Sequence, residues 1–374
     1  MKYKKILVTG GAGFIGSHLV DKLVSKGYKV RVLDNLFRQI HPTGELPDYF
    51  NKKAELIKGD VTVRNDWMKA LNNIDAVFHF AAAVGVGQSM YEIEHYVKVN
   101  SLGTAIFLDI LANKTHAVKK IIIAASMSSY GEGTYKCNKC GLVSRPLLRD
   151  ERMLRKRDYN VYCPNCASKV EPVPTQEESK QNSNSIYAIG KKEQEEMILT
   201  FGKSYNIPSV ALRYFNVYGP RQSLSNPYNG VAAIFLSRIK NNKPPLINED
   251  GLQTRDFVHV ADVTAANIAC LEDSRADDQI FNVGSGIPIT IADVANTLIR
   301  LLKSGVKPEV THKVRKLDVR HCFADITKIK KLLGWSPRIR FEDGMRRLIE
   351  WSKDEKAIDT VDHAMAQLKK RGLR

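Results

Sequence analysis

The sequence predicts an α/β fold, a doubly wound parallel sheet joined to a smaller C-terminal α/β domain, on three observations. An apolar run, Ile6–Val8, stops at a cluster of glycines and is followed by a helical pattern of Leu19, Val20, Leu23 and Val24. Short apolar strands then alternate with helical stretches, which implies a parallel sheet with helices on both faces. Each strand ends in a small or polar residue, as suits a sheet whose ligands gather at the carboxyl ends of its strands.

The first strand and its glycines are the most specific element. Gly10, Gly13 and Gly16 divide three tasks: a tight turn, close backbone approach to a diphosphate, and close packing of helix on strand. The anion then lies at a helix N-terminus, where free N–H groups favour negative charge. This is the pattern of a Rossmann-type dinucleotide site. A second strand, Val30–Leu33, ends in Asp34, whose carboxylate can accept both hydroxyls of an adenosine ribose and would repel a 2′-phosphate. NAD is therefore expected rather than NADP. The plainer alternative is an ordinary βαβ unit with a surface Asp.

Bulk properties narrow the class. The chain has 374 residues, 43% of them hydrophobic, with no apolar stretch near the ~20 residues of a membrane span. Ile6–Val8 is too short for a signal-peptide core, so a cytoplasmic protein without a membrane partner is expected. The formal charge of +17 is partly local, in Arg145, Arg149, Arg152, Arg155, Lys156 and Arg157 and at the C-terminal Lys369, Lys370, Arg371 and Arg374. No helix-turn-helix or base-stacking motif accompanies these residues, so a solvated basic surface is expected and no nucleic-acid partner.

Further along, Leu56-Ile57 leads into Gly59-Asp60-Val61, Ala76–Phe80 into Ala81-Ala82-Ala83, and Ile121–Ala125 into Ser126. Helical patterns fall around Asn65–Leu71 and Tyr96–Leu111. Asp60 and Val61 stand where an adenine would be held, although Asp60 is equally a turn residue after Gly59. The small Ala81–Ala83 segment permits close approach of a cofactor, and Asn100 is a poor helix residue unless its amide has a partner.

After Gly131 periodicity lapses for the 55 residues before Tyr187. This stretch carries Cys137-x-x-Cys140 and Cys163-x-x-Cys166, with 22 residues between Cys140 and Cys163. Two such knuckles are the spacing of a tetrahedral Zn–S₄ site, with disulfides as the alternative. Four thiolates leave no open position, so the zinc would be structural. Cys270 and Cys322 have no knuckle partner and read as packed thiols. Regular structure resumes at Ser185, a strand follows at Val210–Leu212, and the later chain is richer in Pro and Asn. Phe281–Gly286 reads as a strand and turn, then a helix capped by Thr290 with Asp293 in capping-box spacing. The expected division is an NAD-binding domain over 1–213, with residues 132–180 as a four-Cys, zinc-ribbon-like insertion. Residues 214–374 form mainly a substrate domain, from which the chain crosses back.

Tyr187 and Lys191 lie four apart on a predicted helix and share one face. A tyrosine is a poor base at neutral pH, and a neighbouring Lys⁺ would stabilise its phenolate. With Ser126 at a strand end, the pair suits removal of an alcohol proton while the carbon gives hydride to NAD.

These motifs together resemble the extended short-chain dehydrogenase/reductases of the NAD-dependent sugar epimerase/dehydratase family. The resemblance runs through Thr9–Gly16, Asp34, Asp60-Val61, Ser126 with Tyr130-Gly131, Tyr187 and Lys191, Arg213–Gln222 and Arg255–Val260. It continues through Phe281–Gly286, Arg315-x-x-Asp318, Ala324-Asp325 and Leu333-Gly334-Trp335-x-Pro337. Only residues 132–180 and the extreme C-terminus fall outside it. It implies a nucleotide-diphosphate sugar as substrate and a homodimer. It also implies that Phe14, Ile15, Asn35, Phe80, Ala81, Ala82, Asn100 and Tyr214 join the cofactor site. Ser128, Arg221 and Asn229 would meet the substrate, Asn216, Arg255 and Arg315 its diphosphate, and Asp318 a nucleoside ribose. Any one of these arginines alone would read as a surface salt bridge.

Departures from the family pattern narrow the reaction. Dehydratases of the family place an acid pair directly after the residue matching Ser126, where this chain has Met127 and Ser128. A 4-epimerase needs only oxidation at C4, rotation of the 4-keto sugar and reduction on the other face. Val84 stands where some UDP-galactose 4-epimerases carry Lys. Gln222–Gly230, Asp318–Cys322 and the four-Cys insertion resemble the group of the family that interconverts dTDP-L-rhamnose and dTDP-6-deoxy-L-talose. A UDP-hexose 4-epimerase, a nucleotide-sugar reductase or decarboxylase, and a non-enzymatic dinucleotide sensor are the alternatives. A sensor would have no need of Ser126, Tyr187 and Lys191.

Overall fold

The computed structural model describes residues 2–144, 146, 149–228, 230–316 and 318–373. Asn229, Arg145 and Arg374 lie outside the described residues. Seven strands form the main sheet: β1 (Lys5–Thr9), β2 (Lys29–Asp34), β3 (Glu55–Lys58), β4 (Ala76–His79), β5 (Lys120–Ser126), β6 (Ser209–Tyr214) and β7 (Ile280–Val283). Their order is β3-β2-β1-β4-β5-β6-β7, and every pairing is parallel. The chain winds outward on one side of β1 and returns to the other at β4, so a crevice opens where the winding reverses.

Strand alternation distributes the core. Ile6 and Val8 join one buried cluster with Leu19, Val32, Phe78, Ile122, Leu212 and Phe281. Leu7 points to the opposite face, with Leu33, Trp67, Val77, Phe107, Ile121, Ile123 and Ile198. A third cluster, including Tyr218, Leu236, Phe257, Leu298, Met345 and Leu348, lies under the C-terminal region. There Asn216–Tyr218 pairs parallel to Thr254–His259, which also pairs with Pro288–Thr290 and His321–Cys322. Because β7 lies beside β6, the chain returns to the main sheet from this region.

Two local features depart from expectation. The helical pattern around Tyr96–Leu111 is interrupted by a wide π-type turn, Val97–Leu102, which turns Asn100 inward to a fully buried position. At the helix Ile291–Leu302 the Thr290 hydroxyl accepts from the Asp293 N–H at 3.0 Å. The Asp293 carboxylate, however, accepts from the same hydroxyl at 2.6 Å, so it makes no return bond to the cap backbone.

The described residues of the aperiodic stretch carry short elements of their own. Thr134–Lys136 pairs antiparallel with both Val143–Ser144 and Glu171–Val173, and a short helix spans Glu151–Arg155. No helix among the described residues is long and apolar enough to cross a membrane.

Candidate active site

The crevice at the strand ends holds a cavity of about 720 Å³. Gly10, Gly13, Phe14, Ile15, Gly16, Asp34, Asn35, Val61, Phe80, Ala81 and Ala82 line it, as do Ser126, Ser128, Tyr187, Lys191, Tyr214, Asn216 and Arg221. All of these residues were expected at the site from the sequence.

The glycine turn is built by close approach. Gly10 has φ +69°, and a Cβ on Gly16 would stand 2.2 Å from the Gly10 carbonyl oxygen. Helix α1 (Phe14–Ser25) therefore starts directly against the turn, with no side chain capping its first N–H groups. The Thr9 hydroxyl accepts from the N–H groups of Phe80 and Ala81 at 3.0 and 3.1 Å, which splices the ends of β1 and β4 together. His79 supports it from below at 2.9 Å, and burial pushes this imidazole down to about 3, so it stays neutral. Asp34 accepts from the Ala12 and Leu36 N–H groups at 3.0 and 2.9 Å, one on each oxygen. One lone pair per oxygen is left for an incoming hydroxyl.

Two predicted residues act from behind the wall. Asp60 accepts from the Asn35 amide at 2.8 Å and from both the N–H and the hydroxyl of Thr62. Burial alone would raise it, and the Thr62 and Asn35 hydrogen bonds outweigh that and hold it low. Asn100 bonds both backbone groups of Ala83, at 2.9 and 3.1 Å. It fixes the strand-end segment without reaching the cavity lining, and these bonds are the partner its position in a helical pattern demanded.

Helix α2 (Ile186–Tyr205) is capped by Ser185, whose hydroxyl accepts from the Ala188 N–H at 3.2 Å. It brings Tyr187 and Lys191 to the end of β5. Burial raises the Tyr187 phenol, and a hydrogen bond with Ser126 pulls it part of the way back. The Lys191 ammonium donates to the Ala124 carbonyl at 2.7 Å, and burial pushes it down to about 7. Lys191 was expected to stabilise the Tyr187 phenolate; burial is the largest influence on both groups here. Ser128 donates to the Ser126 hydroxyl at 2.8 Å.

Arg255, Arg315 and Asp318 form a second group outside the lining of that cavity. Asp318 accepts from Arg255 and Arg315 at 3.0 Å each. Burial would raise this carboxyl, but Arg315 and Arg255 hold it low. Arg255 also donates to the carbonyls of Thr254, Val319 and Arg320. Asn216 is opposite Phe257, so Arg255 lies two residues back along the neighbouring strand, on the same face of the sheet. The Asn216 side-chain Oδ1 is buried without a hydrogen-bond partner, which marks a place for a donor. Arg221 pairs with Asp21 of α1 at 2.7 Å and stacks over Tyr49.

One network escaped the sequence reading. Arg213 in β6 forks onto Glu195 of α2 at 2.9 and 2.6 Å, and donates to the Tyr130 hydroxyl and the Glu177 carbonyl at 2.7 Å each. The Tyr130 hydroxyl in turn donates to the Asn282 side-chain Oδ1 at 2.7 Å. An arginine inside an otherwise apolar strand was the available signal, since a buried charge requires a partner.

The four knuckle cysteines converge, with all four sulfurs within 4.8 Å of one another. Cys137 and Cys166 are 3.5 Å apart, Cys140 and Cys163 3.6 Å, and Cys140 and Cys166 3.9 Å. Each knuckle closes on a left-handed residue, Gly141 or Ala167, whose N–H returns to the first cysteine's carbonyl. Cys270 and Cys322 are buried singly.

Comparison with known proteins agrees with this geometry. Residues 6–150 match the model of the NAD dependent epimerase/dehydratase family, and residues 168–348 that of GDP-mannose 4,6 dehydratase. A dTDP-L-rhamnose 4-epimerase of Burkholderia thailandensis is 34% identical over 94% of this chain and 96% of its own length. The chain belongs to the NAD-dependent epimerase/dehydratase family. Among solved structures of the family, UDP-glucose 4-epimerase with UDP-glucose from Thermotoga maritima superposes with a TM-score of 0.75. It is 31% identical, over 93% of this chain and 98% of that one. The UDP-glucuronic acid 4-epimerase of Bacillus cereus, in complex with UDP-glucuronic acid and NAD, gives 0.74 at 28% identity, over 94% of this chain and 100% of that one. The NAD of this family fits the residues present. Gly10, Gly11 and Gly16 have no room for a Cβ, α1 presents N–H groups that no side chain caps, and Asp34 keeps acceptor capacity for ribose hydroxyls.

Proposed function

We propose that this protein is an NAD-dependent nucleotide-sugar 4-epimerase, acting on dTDP-L-rhamnose and its C4 epimer dTDP-6-deoxy-L-talose. The observation that carries the reaction type is the composition of the β5 end. Ser126, Tyr187 and Lys191 gather there, while the two positions after Ser126 are Met127 and Ser128. Gly10, Gly13, Gly16 and Asp34 would hold the cofactor, with Asp34 selecting NAD over NADP. Bound NAD supplies the two-electron exchange at C4.

Tyr187 takes the proton of the C4 hydroxyl on oxidation and returns one to the C4 oxygen when the turned 4-keto sugar is reduced on its other face. Ser126 holds the same oxygen through the exchange, and Ser128, bonded to Ser126, orients its hydroxyl. Lys191 favours the phenolate whenever it carries its proton. A carboxylic acid at 127 or 128 would be needed to work at C5 and to expel the C6 hydroxyl, and neither residue is one. Asn216 is assigned to the diphosphate, and Arg221 and Asn229 are assigned to the substrate without a finer placement. Arg255 and Arg315 take the outer phosphate, with Asp318 on the nucleoside ribose. The dTDP-sugar assignment rests on the B. thailandensis relative.

One structural Zn²⁺ is assigned to Cys137, Cys140, Cys163 and Cys166. A tetrahedral site with Zn–S of about 2.3 Å spaces its sulfurs about 3.8 Å apart, close to the separations here. A homodimer is also part of this reading. Exposed Val97, Leu102 and Ile189 lie on neighbouring helical segments and suit a second copy.

The test is incubation of the holoenzyme with a panel of dTDP- and UDP-sugars, read by NMR and mass spectrometry. A product of unchanged mass with altered C4 couplings is expected, and from dTDP-L-rhamnose among the substrates. A product lighter by water or carbon dioxide would overturn the reaction type. Turnover of UDP-hexoses alone would replace the substrate assignment.

A further inference from the structure

The four-cysteine insertion grips the segment that carries Asp318. Glu132, at its entry, accepts from the backbone N–H groups of Arg320 and His321 at 2.8 Å, and Tyr135 donates to Glu132 at 2.6 Å. A Cβ on Gly133 would stand 2.4 Å from the His321 carbonyl oxygen, so the two backbones are in direct contact. At the exit, Thr175 bridges to Ala324 as a short parallel pair. Between these, Arg149 forks onto Glu249 at 2.9 and 2.7 Å and donates to the Asp318 carbonyl at 3.3 Å. Arg320 shares the same Glu249 at 2.8 Å. These ionic groups are buried, with Arg149 side-chain exposure 6% and Glu249 3%.

The opposite side of that segment holds Arg255, through Asp318 and the carbonyls of Val319 and Arg320. The insertion and the substrate arginine thus hold one stretch of backbone from two sides. Arg315 adds a buried Nε–H without a partner beside the same carboxylate, so the cluster retains donor capacity for an anion.

We infer that Arg149 is a positioning residue for the nucleotide half of the substrate, fixing Asp318 and Arg255 through Glu249 and the Asp318 carbonyl. The inference rests on the assignment of Arg255, Arg315 and Asp318 to the nucleoside diphosphate. The chemistry requires a guanidinium: its planar fork meets both Glu249 oxygens while one N–H reaches the Asp318 carbonyl, and a lysine's single ammonium cannot span these acceptors. The charge of Arg149 is already met by Glu249, so its effect is geometric.

The test uses NAD-loaded full-length R149A and R149K. UDP and dTDP affinities are read by calorimetry, and KM and kcat with whichever sugar nucleotide the wild type turns over. R149A is expected to weaken the nucleotide that the wild type binds by tenfold or more and to raise KM in parallel. Its kcat should stay within about threefold, with NAD content unchanged. R149K should show a smaller loss in the same direction, and it decides the matter if R149A does not fold. Nucleotide affinity within twofold of wild type in the folded variants overturns the inference, as does a loss in kcat with KM unmoved. Wild type that binds neither UDP nor dTDP instead overturns the substrate reading beneath it.

Discussion

Arg213 and Glu195 form a two-pronged ion pair at 2.9 and 2.6 Å, with side-chain exposures of 4% and 3%, between β6 and the helix that carries Tyr187 and Lys191. Glu195 lies one helical turn beyond Lys191, so the pair fixes how α2 sits on the sheet. The same guanidinium stacks on Tyr130 at 4.8 Å and bonds the Glu177 carbonyl, which ties the exit of the insertion to the end of β5. Removing one partner leaves the other buried and uncompensated. Glu195→Ala should cost about 3–5 kcal/mol by denaturant unfolding. Simultaneous replacement by apolar residues of similar size should cost much less, which separates the penalty of a lone charge from the worth of the pair.

Tyr187→Phe should lower turnover by about two to four orders of magnitude while NAD remains bound. The phenyl ring preserves the edge-on contact with Tyr96 at 6.4 Å, and Lys191 keeps its bond to Ala124, so the pocket survives without the hydroxyl. Kinetics together with cofactor quantification check this. Turnover near the wild-type rate would remove Tyr187 from the mechanism.

Lys191 makes stability depend on pH in a defined direction. Burial lowers it from 10.5 to about 7 in the folded protein. Below pH 7 both folded and unfolded chains hold the proton, and the folded one bears the cost of a buried charge. Between pH 7 and 10.5 the unfolded chain binds the proton and the folded chain does not, so the penalty is relieved as pH rises. Lys191→Met has no such term. In NAD-free protein, the stability of the variant relative to wild type should therefore be greatest near pH 6 and decline toward pH 10. A gap that is constant across this range in thermal melts would contradict the burial account.

The sheet and the cofactor end of the site were legible because their signals are local. Strands such as β5 are apolar runs that stop at a polar residue, and Gly10–Gly16 needs its glycines for steric reasons visible in the spacing alone. The insertion was opaque for the opposite reason. Its strands, such as Thr134–Lys136, span two or three residues, too few for any periodicity to register. The pairing of Asp318 with both Arg255 and Arg315 joins residues up to 63 apart, and nothing in the spacing of either arginine shows that they share one carboxylate. Asn100 lies between these extremes: the sequence showed that it needed a partner, and only the fold shows that the partner is the backbone of Ala83.

The insertion should depend on metal for its own order. Its buried core consists of Tyr135, Cys137, Val161, Cys163 and Val170, and two of these are proposed ligands. A core of that size cannot offset the ordering entropy of nearly fifty residues, and cross-linking by the proposed metal would supply what burial does not. The sulfur separations of 3.5–3.9 Å lie far beyond a disulfide bond of about 2.05 Å. Protein purified without chelator should carry one zinc per chain by elemental analysis. Cys140→Ser should lose that zinc and admit protease within residues 132–180. NAD should stay bound, because the main-sheet core includes none of the insertion. Limited proteolysis with mass spectrometry, run beside cofactor quantification, checks both halves. Zinc-free protein with an equally resistant insertion, or four cysteines recovered as two disulfides, would remove the metal from this account.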